Sequence, residues 1–201
     1  VRYITNPSSG KMGYAIACAA RERGADVSLI SGPCHLQVPE GINFKSCRKA
    51  CEMNELVLRQ FPDCDVLVMS AAVGDFAPNQ IEKEKIKKKD SSSLILKLVP
   101  TEDILQNVLN RKTKQFVVGF AAESENLVQS ALEKLRNKKL DFIVANDISA
   151  PGIGFQSDSN QVTLINKKEE IENLPLLSKE KIAHRLLDKI LRIYSKPSGD
   201  S

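Results

Sequence analysis

Apolar residues along this chain follow two alternating rhythms. Short, nearly unbroken apolar runs bounded by turn residues read as strands: Val1 to Ile4, Ala25–Ser31, Asn43–Cys47, Asp65–Ala72, Gln115–Ala122, Asp141–Ile148 and Asn160–Asn166. Between them, apolar positions three and four apart read as helices. Met12–Arg23 places Met12, Ile16, Ala19 and Ala20 on one side and stops at Gly24. Arg48–Phe61 turns Met53, Leu56, Val57 and Phe61 inward. Thr101–Lys112 starts with Thr101 as N-cap and Glu102-Asp103 in its first turn. A helix capped by Ser124 runs to Lys139 over Leu127, Val128, Ala131, Leu132 and Leu135, and Ser178–Tyr194 closes the chain. One stretch breaks the alternation. Glu82 to Lys89, then Asp90-Ser91-Ser92-Ser93, then Leu94 to Val99 are two extended runs around a polar turn, a β-hairpin projecting from the sheet over about residues 79–99.

The order β-α-β-β-α-β, hairpin, α-β-α-β-loop-β-α predicts an α/β fold, a Rossmann-like three-layer sandwich with a mostly parallel sheet and an inserted hairpin arm. Asp65–Ala72 is expected at its centre, buried on both faces. Residues 1–195 are expected to form a single domain, and 196–201 a disordered tail.

Composition narrows the chemistry. The 201 residues carry a net charge of +4, which favours an anionic partner but is too mild for nucleic acid. No apolar run approaches a membrane span and no signal peptide is visible. The five cysteines, Cys18, Cys34, Cys47, Cys51 and Cys64, form no C-x-x-C and are odd in number, as expected for reduced thiols in a cytoplasmic protein. His35 and His184 lack metal-spaced partners and read as surface or structural residues. The first residue is not Met and lies within a strand pattern, so the chain is expected to be a piece of a longer one.

Chemistry-bearing residues gather at strand ends. Ser8-x-Gly10-x-x-Gly13, between the first strand and first helix, is a G-x-G-x-x-G pattern with serine in the first slot. Helix starts of this kind hold phosphate, while the plain alternative is a packing turn. Thr5 and Met12 exclude a Walker loop, and Leu29-Ile30-Ser31-Gly32 offers no ribose-binding acid, which disfavours NAD. Asp75 is the acid after the central strand, either a solvated turn residue or a metal or ribose contact. Lys85 and Lys87 share one face of the extended run. Lys134 and Lys138, four apart on one helix, either reach solvent or hold an anion between them.

Together, Val1-Arg2-Tyr3-Ile4-Thr5-Asn6-Pro7-Ser8-Ser9-Gly10-Lys11-Met12-Gly13, Ala71-Ala72-Val73-Gly74-Asp75-Phe76, Lys85-Ile86-Lys87-Lys88, Val118-Gly119-Phe120-Ala121-Ala122-Glu123 and Ala145-Asn146-Asp147 resemble, in order, the bacterial phosphopantothenoylcysteine synthetase domain of coenzyme A biosynthesis. The resemblance runs to about Ile190. It implies a ligase joining 4′-phosphopantothenate to L-cysteine. CTP activates the carboxylate as an acyl-cytidylate with release of pyrophosphate, and the cysteine amine then displaces CMP. It implies Mg²⁺, a homodimer whose arm completes a shared site, and often a flavin-dependent decarboxylase preceding it on one polypeptide. No flavin domain occurs in these residues, so decarboxylation is not expected of them.

By the same resemblance Asn6 and Lys85 are catalytic. The nucleotide meets Ser8, Gly10, Met69, Ser70, Ala71, Asp75, Lys85, Glu102, Asp103, Ile104, Leu105, Phe120, Lys134 and Lys138. The acyl substrate meets Arg2, Asn6, Ala71 and Ala72. Metal ligands are not assigned. Two departures stand out: Gly74 replaces the usual alanine, and the family's Asn-Pro-Asp turn reads Pro100-Thr101-Glu102-Asp103. The competing readings are an NAD(P)-dependent reductase and a non-catalytic nucleotide-binding module. No Tyr-x-x-x-Lys pair supports the first.

Overall fold

A computed structural model describes residues 4–80, 84, 94–123, 126–147 and 157–194. Its core is a five-stranded sheet in the order β10-β9-β7-β6-β3. Here β3 is Val66–Met69, β6 Phe116–Glu123, β7 Phe142–Asp147, β9 Val162–Asn166 and β10 Ile171–Asn173. Three strands, β3, β6 and β7, run parallel, with Val66 opposite Phe116 and Val118 opposite Phe142. Their carboxyl ends therefore share one edge.

The two faces of this sheet are sorted by the period of two. Val117, Ala121, Ile143, Ala145 and Ile165 pack under α2 (Ala50–Gln60), α3 (Ile104–Leu109) and α4 (Leu127–Asn137). Phe116, Val118, Val144, Val162 and Leu164 pack under α1 (Lys11–Glu22) and α5 (Lys179–Tyr194). That is the three-layer sandwich expected. The inward residues of the helices match the apolar spacing closely: Met53 and Val57 of α2, Ala131 and Leu135 of α4, and Ile182, Leu186 and Ile190 of α5 are buried. Each fully buried aliphatic side chain contributes about 1.5–3 kcal/mol. Gly119, mid-β6, admits this packing because a Cβ there would lie 2.7 Å from Leu140 Cδ1.

Several expectations are corrected. The strand predicted over Asn160–Asn166 is present as β9 from Val162, lies antiparallel to β7, and is followed at once by β10, an element the apolar pattern did not predict. Residues of β3 are half-buried rather than fully buried. It is the edge of the five-stranded ladder among the described residues, while β1 (Ser28–Ser31) and β2 (Asn43–Ser46) form a separate parallel pair. Regular strand structure also ends at Met69, three residues short of the predicted Ala72, and β1 begins three residues after Ala25. The helix predicted over Thr101–Lys112 shrinks to α3, and its N-cap is Asp103, not Thr101. Two-residue strands β8 (Ser159–Asn160) and β11 (Leu177–Ser178) pair beside α5.

Of the predicted hairpin the second run is described: Leu94 to Lys97 carry no regular structure, and Leu98 and Val99 join a short ladder. There β4 (Phe76–Pro78) pairs antiparallel with β5 (Leu98–Pro100), and the Asn79 N–H donates to the Lys97 carbonyl at 2.9 Å. Lys85 to Ser93 lie outside the described residues, as do Val1 to Tyr3, Ser124, the Gly152–Phe155 loop and the 195–201 tail. No helix among the described residues is long and apolar enough to cross a membrane.

Candidate functional site

The cleft at the shared carboxyl edge is built by the segments that follow three strands and precede one helix. The run Ile4–Gly10 has no regular structure and enters α1 through a turn in which the Ser8 N–H donates to the Asn6 carbonyl at 2.8 Å. Gly10 is the N-cap of α1 at φ 74°, a left-handed conformation that suits glycine. The Gly13 position faces β3: a Cβ there would meet Ser70 Oγ at 3.0 Å. Gly13 thus admits the close helix–strand approach that its place in the motif implies, while Gly10 shapes the turn.

Asn6 reaches across to the loop after β3. Its Nδ2 donates to the carbonyls of Ala72 (3.3 Å) and Val73 (3.2 Å). Two segments 66 residues apart in sequence, both singled out from sequence, thus meet in space. The β3 loop is tied in turn to the segment before α3, where the Thr101 N–H donates to the Asp75 carbonyl at 2.9 Å and Thr101 Oγ1 to the Gly74 carbonyl at 2.7 Å. This is why Thr101 does not cap the helix: its hydroxyl is already committed. The Asp75 side chain is exposed and makes no hydrogen bond among the described residues.

On the far side, Lys134 of α4 donates to the Phe120 carbonyl at 2.8 Å. Lys138, one turn on, pairs with Asp103 Oδ2 at 2.5 Å and Gln106 Oε1 at 3.1 Å. Burial works to raise the Asp103 pKa, but the Lys138 ammonium and the Gln106 N–H outweigh it and hold the carboxyl below its ordinary value. Asp103 is half open to solvent, so the pair is screened. Asp103→Ala is expected to cost about 1 kcal/mol, mainly through the lost cap, measured by chemical denaturation at pH 7. Because the folded-state pKa is depressed, the contribution of Asp103 is present above the unfolded pKa and fades as pH falls through the folded one. The gap between wild type and variant should therefore close in acid.

Asn6, Ser8, Gly10, Met69, Ser70, Ala71, Ala72, Asp75, Glu102, Phe120 and Lys134 all line this cleft. Asp103, Ile104, Leu105 and Lys138 do not: Ile104 is buried in the core, Leu105 packs against it, and Lys138 and Asp103 hold each other. Arg2 and Lys85 lie outside the described residues. The histidines fall where expected, His35 exposed and His184 against Arg23 and Glu22. All five cysteines are free.

The sequence left Asn146, Asn160 and Lys179 without roles. The Oδ1 atoms of Asn146 and Asn160 are buried without hydrogen-bond partners among the described residues, and both residues line the cleft. A polar residue closing a buried apolar strand was the available clue for Asn146. Lys179 is 5 % exposed at the start of α5 and donates to the Ser157 carbonyl at 2.5 Å. Burial pushes its pKa down, as does nearby Lys11, against a smaller opposing pull from Asp158. Among the described residues no three His, Cys, Asp or Glu side chains gather as a metal site.

The chain is similar to known proteins over its whole length. The chain is 42 % identical over 201 residues to the coenzyme A biosynthesis bifunctional protein CoaBC of Bacillus subtilis (strain 168), covering 100 % of this chain and 49 % of the relative. It is 42 % identical over 192 residues to the protein of the same name from Vibrio cholerae serotype O1, covering 94 % of this chain and 48 % of that one. The chain thus spans about half the length of these relatives. The crystal structure of the C-terminal domain of a coenzyme A biosynthesis bifunctional protein CoaBC superposes with a TM-score of 0.82 at 37 % identity, covering 96 % of this chain and 87 % of that one. Residues 1–194 match the family described as DNA/pantothenate metabolism flavoprotein C-terminal domain, and the chain belongs to that family.

Proposed function

We propose that this chain is a phosphopantothenate–cysteine ligase, joining 4′-phosphopantothenate to L-cysteine at the expense of CTP in coenzyme A biosynthesis. The observation that carries the reading is the bridge from Asn6 to the Ala72 and Val73 carbonyls. It joins the two segments that the resemblance gives to the acyl substrate, at the strand edge where α/β sheets bind ligands. Relatives named for coenzyme A biosynthesis, over the whole of this chain, support it.

In this reading the substrate carboxylate attacks the α-phosphorus of CTP and pyrophosphate leaves. The cysteine amine then attacks the acyl carbon, CMP leaves, and the amine loses a proton. Bringing a carboxylate to a triphosphate sets like charges together, so the site must neutralise them. Lys85 supplies a positive charge from the arm. Lys134, beside Phe120, faces the nucleotide from α4. Asn6 is neutral, so its amide can donate to the acyl oxygen without repelling the phosphoryl group. Ala71 and Ala72 leave room for the substrate beside the strand end, and Gly10 and Ser8 offer backbone to a phosphate at the start of α1. Buried Asn146 Oδ1, without a partner among the described residues, is a further acceptor for the nucleotide.

Mg²⁺ fits this donor set: it commonly takes one or two carboxylates and completes its shell with phosphates and water, so Asp75 suffices from the described residues. When bound, it neutralises charge on the triphosphate. The arm over about residues 79–99, rising from the β4–β5 ladder, reaches a second copy, so the enzyme works as a cytoplasmic homodimer with shared sites. Pyrophosphate release measured with CTP or ATP, each with Mg²⁺ and cysteine, tests the reading. Release is expected with CTP and only when phosphopantothenate is present. Release with ATP alone would keep the reaction and overturn the choice of base, and release with neither from folded protein would overturn the reading.

A further inference from the structure

The side chain of Glu102 is held in an unusual way. Its Oε2 accepts from Nδ2 of Asn54 on α2 and from Nδ2 of Asn107 on α3, the latter at 3.2 Å. The Asn107 amide also reaches Asn54 Oδ1 at 3.2 Å, closing a ring of two amides and one carboxylate. Asn54 is 6 % exposed, whereas Glu102 is exposed and lines the nucleotide cleft. The other carboxylate oxygen, Oε1, makes no hydrogen bond among the described residues. The residues on either side are fastened elsewhere, Thr101 to the β3 loop and Asp103 to Lys138, so the backbone carrying Glu102 is fixed as well.

A buried asparagine at the α2–α3 contact stabilises the fold less readily than a packed aliphatic residue would, unless its amide is needed. What the ring accomplishes is to fix one oxygen of a carboxylate at the cleft and leave the second without a hydrogen bond among the described residues. A carboxylate accepts hydrogen bonds and repels carbonyl lone pairs. Resting on the ligase reading above, we propose that Glu102 reads the exocyclic amino group of the nucleotide base, with Asn54 and Asn107 as its positioning residues. The base CTP carries an amino donor where UTP carries a carbonyl, so this acceptor admits the first and rejects the second. Sites built to pair a polar group discriminate strongly against analogues that leave it unpaired.

The test compares kcat/KM for CTP and for UTP in wild type, Asn54→Ala, Asn107→Ala and Glu102→Gln, with calorimetric CTP binding and thermal melting on the same samples. Wild type is expected to favour CTP. Each variant should lose about ten-fold of that preference, while KM for phosphopantothenate stays within about two-fold. Glu102→Gln, whose amide can donate to a carbonyl, should gain UTP turnover outright. If Asn54→Ala fails to fold, Asn107→Ala and Glu102→Gln, at half-buried and exposed positions, carry the test. A CTP preference unchanged in the folded variants, or a melting shift without a change in preference, overturns the proposal and leaves the ligase reading intact. Wild-type protein that neither binds nor turns over CTP overturns both.

Discussion

Asn6→Asp is expected to lower ligase turnover by about 10²–10³-fold, the scale of losing one preorganised donor to a developing negative charge. The change is nearly isosteric, yet it inverts the chemistry. The Nδ2 donor that joins the entrance to α1 with the Ala72 and Val73 carbonyls is replaced by an acceptor facing two acceptors. The new charge also sits where a carboxylate and a phosphoryl group must approach each other. Asn6 is exposed, so the fold should persist and thermal melting should move by a few degrees at most. The loss should appear in kcat for amide formation, measured at saturating CTP and cysteine. A variant with wild-type turnover would remove Asn6 from the chemistry.

Lys85→Ala is expected to have the larger effect, about 10³-fold or more, comparable to removing a cation that stabilises phosphoryl transfer. The motif Lys85-Ile86-Lys87-Lys88 belongs to the connection between β4 and β5. Those strands pair with Pro78 opposite Leu98, so the two ends of the connection start side by side, across the ladder from the Asp75–Thr101 contact. In the proposed homodimer the arm as a whole carries the contact, so the variant should sediment like wild type and fail only in turnover. Restoration by Lys85→Arg would be partial at best, since a guanidinium is planar and larger than a point-like ammonium. Unimpaired turnover in Lys85→Ala would reduce the arm to an assembly device.

Much of the three-layer plan was legible because both periods were unambiguous. In β6, Phe116 and Val118 face one layer while Val117 faces the other, as alternation requires. The faces of α2 and α4 follow from spacings of three and four. Start and stop positions were less legible, because several residues can cap and only tertiary partners decide. Thr101 and Asp103 are both good caps, and Asp103 prevails because Gly74 takes the Thr101 hydroxyl. Glu52 folds back on the Arg48 and Lys49 N–H groups, a local contact that no Ser, Thr, Asp or Asn at the cap position signals, and those bonds lower its pKa.

Strand direction was legible for β3, β6 and β7, whose long apolar runs and alternation with helices fit the parallel order found, but not for β9. A period of two is the same for parallel and antiparallel neighbours, and β9 lies antiparallel to both β7 and β10. Candidate site residues divide in the same way. Turn chemistry at Gly10 and Gly13 was readable locally, whereas the Asn6 bridge and the Asn54–Glu102–Asn107 ring depend on contacts 66 and 48 residues apart. Lys134 and Lys138 could be seen to share a helix face. Their partners, the Phe120 carbonyl for one and Asp103 for the other, could not.

The most direct measurement of the account follows oxygen. Phosphopantothenate labelled with ¹⁸O in its carboxylate is incubated with CTP, Mg²⁺, L-cysteine and the protein, and the products are examined by mass spectrometry. An acyl-cytidylate route transfers one labelled oxygen to CMP when the cysteine amine displaces it, alongside phosphopantothenoylcysteine and unlabelled pyrophosphate. Label in orthophosphate instead, or CTP turnover without the amide product, would contradict it.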